Sequence, residues 1–441
     1  MKRVVAALVA LGLAGSLAAC SGDQAGDVPS PKGATASPPP RDPVTVDVTL
    51  PAGVDPIAWL GERAFPLVAA QDTGNPNPVY SPLSVYLAFG MVADGARGNT
   101  ASQLAQFMGA DPLTVNQAAQ AIIEAYAGYT AEVAAEAAEA AEETGQDIPP
   151  VVRVANSLWA DDNMTLLQAY LNDAATYYQA ELANLDLQDT AAALEAINGW
   201  VDDKTEGLID SILVDLDPAA RLVLLNALYF KGTWSKTFET YLTQKGDFTL
   251  ASGEVVQADF MSQSGELLSY FDLADGTQGV VLPFAGGPFA MVLALPAGGV
   301  DTVTWDGNQL KTWLDAAAYT QVNLRLPKWE AATGTINLIP VLEELGVTDL
   351  FDSAKADLTG LGAADGGNNL YVSDAAHKAV VKVDENGTEA AAVTAVVVAE
   401  AAGMVDDNPI KLSFDRPFAY AIVDTDTGVP LFLGAVGNPT A

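Results

Sequence analysis

The chain has 441 residues, half of them hydrophobic, and a formal net charge of −36. That charge argues against contact with nucleic acid or an anionic membrane surface through the protein's own face. The one cysteine, Cys20, excludes a disulfide within the chain, and the one histidine, His377, excludes metal motifs built on two histidines. Length alone suggests two or three domains.

The N-terminus reads as an address. Lys2-Arg3, the apolar stretch Val4 to Leu13 and Leu17-Ala-Ala-Cys20 read as a signal peptide, residues 1–19, ending in a lipobox, with Cys20 as the lipidated residue; a generic secretory signal in which Cys20 is incidental is the alternative. This is the arrangement of a bacterial lipoprotein held by acyl chains on the outer face of the membrane. Cleavage removes Lys2 and Arg3 and takes the net charge from −36 to −38. Residues 20–45, rich in Pro, Gly, Ser and Ala, read as a flexible tether without a fold of its own, which leaves 46–441 as the folded part.

Further along, Ala131 to Glu143 is an Ala/Glu run without Lys or Arg, which reads as a solvated surface helix. Gly360-Leu-Gly362 and Gly366-Gly367 lack the Lys and the strand–helix context of a phosphate loop and read as a surface turn. His377 invites a hydrolase reading, yet no Gly-x-Ser-x-Gly elbow accompanies it.

Residues 384–399 are the most informative stretch. Gly387 supplies a hinge, and the twelve residues Thr388 to Ala399 suit an extended strand of roughly 40 Å. At the strand period of two, Thr388, Ala390, Ala392, Thr394, Val396 and Val398 share one face, which carries no charge and nothing bulkier than Val. Glu389 and Ala391 lie on the other face, so the only charge in the run falls on the side that can stay in water. An ordinary core strand, or a helix favoured by the alanines, is the plainer alternative. Immediately downstream, Glu400 to Met404 and the Asp406-Asp407-Asn408-Pro409 turn signal read as an exposed, cleavable tail, an unusual sequel to a buriable strand.

Asp384 to Ala392 resembles the hinge of the serpins, and the resemblance runs from about residue 55 to 441. Asn77-Pro-Val-Tyr-Ser-Pro-Leu-Ser84, Gly95-Ala-Arg-Gly-Asn-Thr100, Ile197-Asn-Gly-Trp-Val201 and Leu225-Asn-Ala-Leu-Tyr-Phe-Lys-Gly-Thr-Trp234 are similar to the family's signatures, in order and at its spacing. So are Leu282-Pro-Phe284, Leu326-Pro-Lys328, His377-Lys-Ala379, Arg416-Pro-Phe418 and Gly434-Ala-Val-Gly-Asn-Pro439.

The resemblance implies one mixed α/β domain, replacing the two or three suggested by length. Its large central sheet is mostly antiparallel, with two further sheets, about eight to nine helices and an exposed reactive-centre loop. It implies a monomeric suicide-substrate inhibitor of extracellular serine proteases. The cut loop inserts into the sheet as a new strand while the acyl-enzyme stays trapped. It implies a shutter of Ser81, Ser84, Asn226 and His377 beneath the sheet, and a clasp of Glu385 and Lys328 beside Trp234 at its top. Counting seventeen residues from Glu385 sets the reactive bond at Ala401–Ala402, with cleavage after Glu400 or Met404 as alternatives. Alanine there suits an elastase-like or subtilisin-like enzyme, whereas a trypsin-like one needs Lys or Arg, and none stands between Lys382 and Lys411. No cofactor, metal or catalytic residue is expected. The acidic Ala131 to Glu143 run argues against a heparin-like polyanion. A noninhibitory serpin acting as a binding or structural protein shares every one of these motifs, and a secreted hydrolase is a third reading.

Overall fold

The computed structural model describes residues 33–34, 44, 46, 50, 52–144, 152–217, 220–303, 305, 307–364, 370–388 and 408–441. Cys20, Glu389, Ala390, Ala391, Ala392, Thr394, Val396, Val398, Glu400, Ala401, Ala402 and Met404 lie outside the described residues.

Eight α-helices are described, and local sequence explains how the first two start. Helix α1, Pro56–Gln71, begins behind Asp55, whose carboxylate accepts from Ile57 N, with Pro56 at the first helical position. Helix α2, Pro82–Gly95, repeats the device with Ser81 and Pro82. All but one of its residues are buried, so it is a central pillar rather than a surface helix. Then follow α3, Gly98–Met108; α4, Pro112–Thr144; α5, Gln168–Tyr178; α6, Thr190–Lys204; α7, Gln309–Ala316; and α8, Ile339–Glu344. The Ala/Glu run is helical, as expected, and forms the second half of α4. No helix among the described residues is long and apolar enough to cross a membrane.

Beside α1 and α2 lies a nine-stranded sheet organised around the 18-residue strand Val255–Asp272. Its strands Phe289–Leu295, Phe418–Asp424 and Pro430–Val436 are buried at every position, which explains why they read as apolar runs rather than alternating patterns. Its far edge is Ile410–Ser413, where the chain re-enters the described structure after residue 407.

The sheet that carries the candidate site is divided. One part orders Glu181–Leu185, Val152–Asp161 and Leu222–Phe230; the other orders Trp329–Ala332, Val380–Val383, Gly387–Thr388 and Gly232–Thr233. The two are continuous only where Phe230 leads into Gly232, here called the upper end. Below it, no ladder among the described residues joins the 222–230 strand to residues 376–383. Helix α6 covers the first part through Ile197 and Val201 in a second core cluster with Ile209, Ile212 and Leu213.

Two features depart from expectation. Gly33–Ala34, inside the stretch read as a structureless tether, forms a short parallel pairing with Leu166 and Leu167. Gly362, read as part of a surface turn, opens the strand Gly362–Ala364 on the other side of Met164–Leu167. Both are two- or three-residue pairings across more than a hundred residues of chain, which leave no periodicity in the sequence.

Candidate functional site

At the upper end the chain makes a tight hairpin. Residues 380–383 run up the sheet, the backbone turns at 384–386, and Gly387–Thr388 runs back down between Val383 on one side and Gly232–Thr233 on the other. The turn is local chemistry: Asn386 N donates to Asp384 Oδ1 at 2.7 Å and Asp384 N donates to Gly387 O at 2.9 Å. Gly387 has φ +150°, and a Cβ there would stand 1.8 Å from Gly232 O. The position therefore needs glycine for the close approach of two backbones as much as for its conformation. Thr388, the next residue, is 3 % exposed, and its Oγ1 accepts from Gly232 N at 3.1 Å.

Around this hairpin the residues named for the clasp come together. Lys328 Nζ and Glu385 Oε2 are 2.8 Å apart, and Thr243 Oγ1 donates to Glu385 Oε1 at 2.7 Å. Burial pushes the Glu385 carboxyl up, but Lys328 and Thr243 outweigh it and hold the group below the usual glutamate value. The same bond raises Lys328, against a smaller opposing effect of burial. Trp234 stacks on Phe284 with centroids 4.5 Å apart and donates from Nε1 to Asp384 O at 3.0 Å. Its backbone N donates to Asn386 O at 2.8 Å, so the tryptophan holds the turn at both ends.

At the lower end lies the polar cluster beneath the sheet. Ser81 N donates to His377 Nε2 at 3.2 Å, which leaves the neutral imidazole with its proton on Nδ1. Ser81 Oγ donates to Leu431 O at 2.8 Å, and Ser84 Oγ to Asn226 O at 3.3 Å. His377 is 4 % exposed, sits edge-on to Tyr80, and burial lowers its pKa to about 4. Both serine hydroxyls are thus engaged with backbone carbonyls rather than with the imidazole. That is not the geometry of a nucleophile and its base.

Sequence reasoning missed how far this cluster extends. Asn226 Nδ2 donates to Asn156 Oδ1 at 2.9 Å, Asn156 Nδ2 to Tyr178 O at 2.6 Å, and Tyr178 OH to Asn116 Oδ1 at 2.7 Å. A buried relay thus connects the sheet to α5 and α4. The available signal was Asn156 itself, a polar amide at a buried position (3 % exposed) of an otherwise strand-like run. Between the 222–226 segment and residues 370–377, over α2, is a cavity of about 410 Å³.

The arrangement is a sheet whose two parts are pinned together above and separated below, with a two-residue strand already seated between them at the pinned end. A sheet of this form can take up further strand.

The family model "Serpin (serine protease inhibitor)" matches residues 61–439. The chain is 32 % identical over 379 residues to antithrombin-III of Homo sapiens, covering 84 % of this chain and 78 % of that protein. It is 34 % identical over 378 residues to serpin-ZXA of Oryza sativa subsp. japonica, covering 82 % and 90 %. Among solved structures, the native state of the thermophilic serpin tengpin superposes with a TM-score of 0.71 at 28 % identity, over 90 % of this chain and 97 % of that one. Thyroxine-binding globulin in complex with thyroxine superposes with a TM-score of 0.70 at 25 % identity, over 88 % and 99 %.

Proposed function

The chain belongs to the serpin family of non-catalytic protease inhibitors, and from that premise we propose that it is an inhibitory member directed at extracellular serine proteases of the elastase or subtilisin type. The observation that carries this reading is the seated hinge. Gly387–Thr388 occupies a strand position between Gly232–Thr233 and Val383, and Thr388, the first side chain that must enter the sheet, is uncharged and buried. In this reading a protease attacks the bond Ala401–Ala402, or the neighbouring bond after Glu400 or Met404, and forms its acyl-enzyme. The residues after Thr388 then follow it into the sheet, with Ala390, Ala392, Thr394, Val396 and Val398 facing inward and Glu389 and Ala391 outward. The attached protease is carried to the lower pole. The uninserted state is kinetically held, with Glu385, Lys328 and Trp234 guarding the entry and Ser81, Ser84, Asn226 and His377 lying beneath the strands that separate.

We also propose that residues 1–19 are removed, that Cys20 carries the lipid, and that residues 20–45 connect it to the domain 46–441 at a bacterial cell surface. This part rests on the apolar stretch and Leu17-Ala-Ala-Cys20 alone. Metabolic labelling with a fatty-acid analogue, lost in Cys20→Ser, tests it.

The inhibitory reading is tested by incubating the protein with pancreatic-type elastase and with subtilisin. The expected result is an adduct of inhibitor plus protease that survives denaturing electrophoresis, and a released peptide beginning at Ala402. Cleavage by both enzymes with no adduct and no rise in melting temperature would leave a noninhibitory serpin, the role to which a relative such as the thyroxine-binding structure points.

A further inference from the structure

The sequence contains Asn-Gly twice, at Asn198–Gly199 and at Asn386–Gly387. Such a pair can modify itself. The backbone nitrogen after the asparagine attacks the side-chain carbonyl through a five-membered ring, and glycine, with no Cβ, leaves that nitrogen unhindered. The reaction needs a side-chain amide and a backbone nitrogen that are both disengaged.

The two copies differ on both counts. Asn198 and Gly199 lie inside α6, whose ladder uses the Gly199 nitrogen. The Asn198 amide is engaged at both ends, with Nδ2 donating to Leu213 O at 2.8 Å and Oδ1 accepting from Ile212 N at 2.9 Å and Leu213 N at 3.0 Å. Asn386 is held only by its backbone, where N donates to Asp384 Oδ1 at 2.7 Å and O accepts from Trp234 N at 2.8 Å. Its side chain, on a partly exposed residue, has no partner among the described residues. Gly387 N is left over by the hairpin: Trp234 N takes Asn386 O on one side, Asp384 N takes Gly387 O on the other, and no acceptor among the described residues receives the Gly387 N–H.

We infer that Asn386–Gly387 is a self-modification site whose conversion unseats the hinge. Gly387 N loses its proton to water and bonds to Asn386 Cγ; the Cγ–Nδ2 bond breaks and ammonia leaves. Water then opens the succinimide. Attack at Cγ restores the main chain with an aspartate, whereas attack at the backbone carbonyl leaves the chain running through Cβ and Cγ, an isoaspartate. Either product adds a carboxylate beside Asp384 and Glu385. The isoaspartate also adds a main-chain carbon where the backbones are already in contact, since even a Cβ on Gly387 would stand 1.8 Å from Gly232 O. Trp234 N then loses its acceptor, and Gly387–Thr388 leaves its register between Val383 and Gly232–Thr233. On the inhibitory reading, on which this last consequence rests, the converted chain is still cut but no longer traps its protease.

The test is to hold the full chain at mildly alkaline pH for days and map it by peptide mass spectrometry with isoaspartyl methyltransferase labelling. Conversion at Asn386 is expected to run about tenfold or more faster than at Asn198, whose engaged groups react only through local opening. Hydrogen exchange at 232–234 and 386–388 should be faster in the aged protein than in the fresh one. Adduct yield with elastase or subtilisin should fall in step with conversion, and should hold over the same period in Asn386→Gln, whose longer side chain closes only a slower six-membered ring. The inference is overturned if Asn386 keeps its amide, if Asn198 converts as fast, if the converted chain exchanges like the fresh one at 232–234 and 386–388, or if it traps protease undiminished. A fresh protein that forms no adduct would instead sink the inhibitory reading. The mass map and the exchange comparison use no protease and no variant, so they decide the modification in that case as well.

Discussion

At the upper end of the divided sheet, Glu385, Lys328, Trp234 and Thr388 each have a named partner within 3.1 Å. At the lower end the same two parts of the sheet are separated by a cavity, and the buried amide oxygen Asn226 Oδ1 has no partner among the described residues. The difference concerns more than packing quality. A sheet that is to admit a strand from above must be selective where the strand enters and yielding where it finishes. Polar contacts stand at both ends, and the open space lies at the lower one.

The largest expected effect comes from spoiling the entrance while leaving the bait intact. In Thr388→Arg a guanidinium must replace a side chain that is 3 % exposed and accepts from Gly232 N. Burying an unpaired charge costs several kcal/mol, enough to favour release of the cut inhibitor over insertion by about a hundredfold or more. Protease should still cleave the loop, but adduct should vanish from denaturing gels. Undiminished adduct would mean that the seated hinge is not the way in.

Next is Trp234→Ala. It removes a ring stacked at 4.5 Å on Phe284 together with the bond to Asp384 O, and is expected to destabilise the native state by roughly 3–5 kcal/mol in denaturant unfolding. A loss below about 1 kcal/mol would mean that the upper end is not where the two parts of the sheet are fastened.

The lower end should respond to pH instead. His377 titrates at about 4 when folded, below its ordinary value of 6.5, because burial disfavours the imidazolium. The unfolded chain therefore binds the proton first. The histidine's contribution is fully present above about pH 6.5 and is lost as pH falls toward 4, on the order of 3 kcal/mol in all. Melting temperatures at pH 7.5 and 5 should fall further apart for the native chain than for His377→Gln. Equal falls would assign the acid sensitivity to carboxylates elsewhere.

The two ends also differ in how much of them the sequence disclosed. The glycine at 387 and the start of the strand after it were legible because their cause is local. Asp384-Glu385-Asn386-Gly387 is turn chemistry followed at once by a strand pattern, and the turn closes on its own residues. Glu385 with Lys328 was legible only through family motifs, since 57 residues of chain separate the partners, and the same motifs pointed His377 toward Ser84 and Asn226 whereas its Nε2 accepts from Ser81 N, 296 residues away. Neither source disclosed the Asn156–Tyr178–Asn116 relay or the pairing of Gly33–Ala34 with Leu166 and Leu167. These depend on long-range register and on which amide faces which carbonyl, and no period in the sequence encodes either. Gly387 shows the same limit at one residue. The need for glycine at this turn was readable, but the 1.8 Å contact that any Cβ would make with Gly232 O was not.

The smallest effect expected separates charge from contact at the entrance. Lys328 is 39 % exposed at its side chain and Glu385 only 8 %, so the pair is half in solvent and half out of it. Lys328→Met should cost about 1 kcal/mol, the upper range for an exposed pair, with Thr243 still donating to the carboxylate. The pH dependence gives the test its resolution. Glu385 is held below its ordinary value, so its contribution is present above that value and is lost as pH falls through the lower folded pKa. Lys328 is raised, so its contribution is present below the usual lysine value and is lost as pH rises through the higher folded one. The clasp is therefore complete between those limits. Native and Lys328→Met proteins should differ by a few degrees in melting temperature near pH 7 and converge in acid, because a protonated Glu385 no longer needs the ammonium. If the difference persists unchanged below the glutamate range, the lysine acts through its aliphatic stem against the neighbouring strand, and the entrance is held by packing rather than by charge.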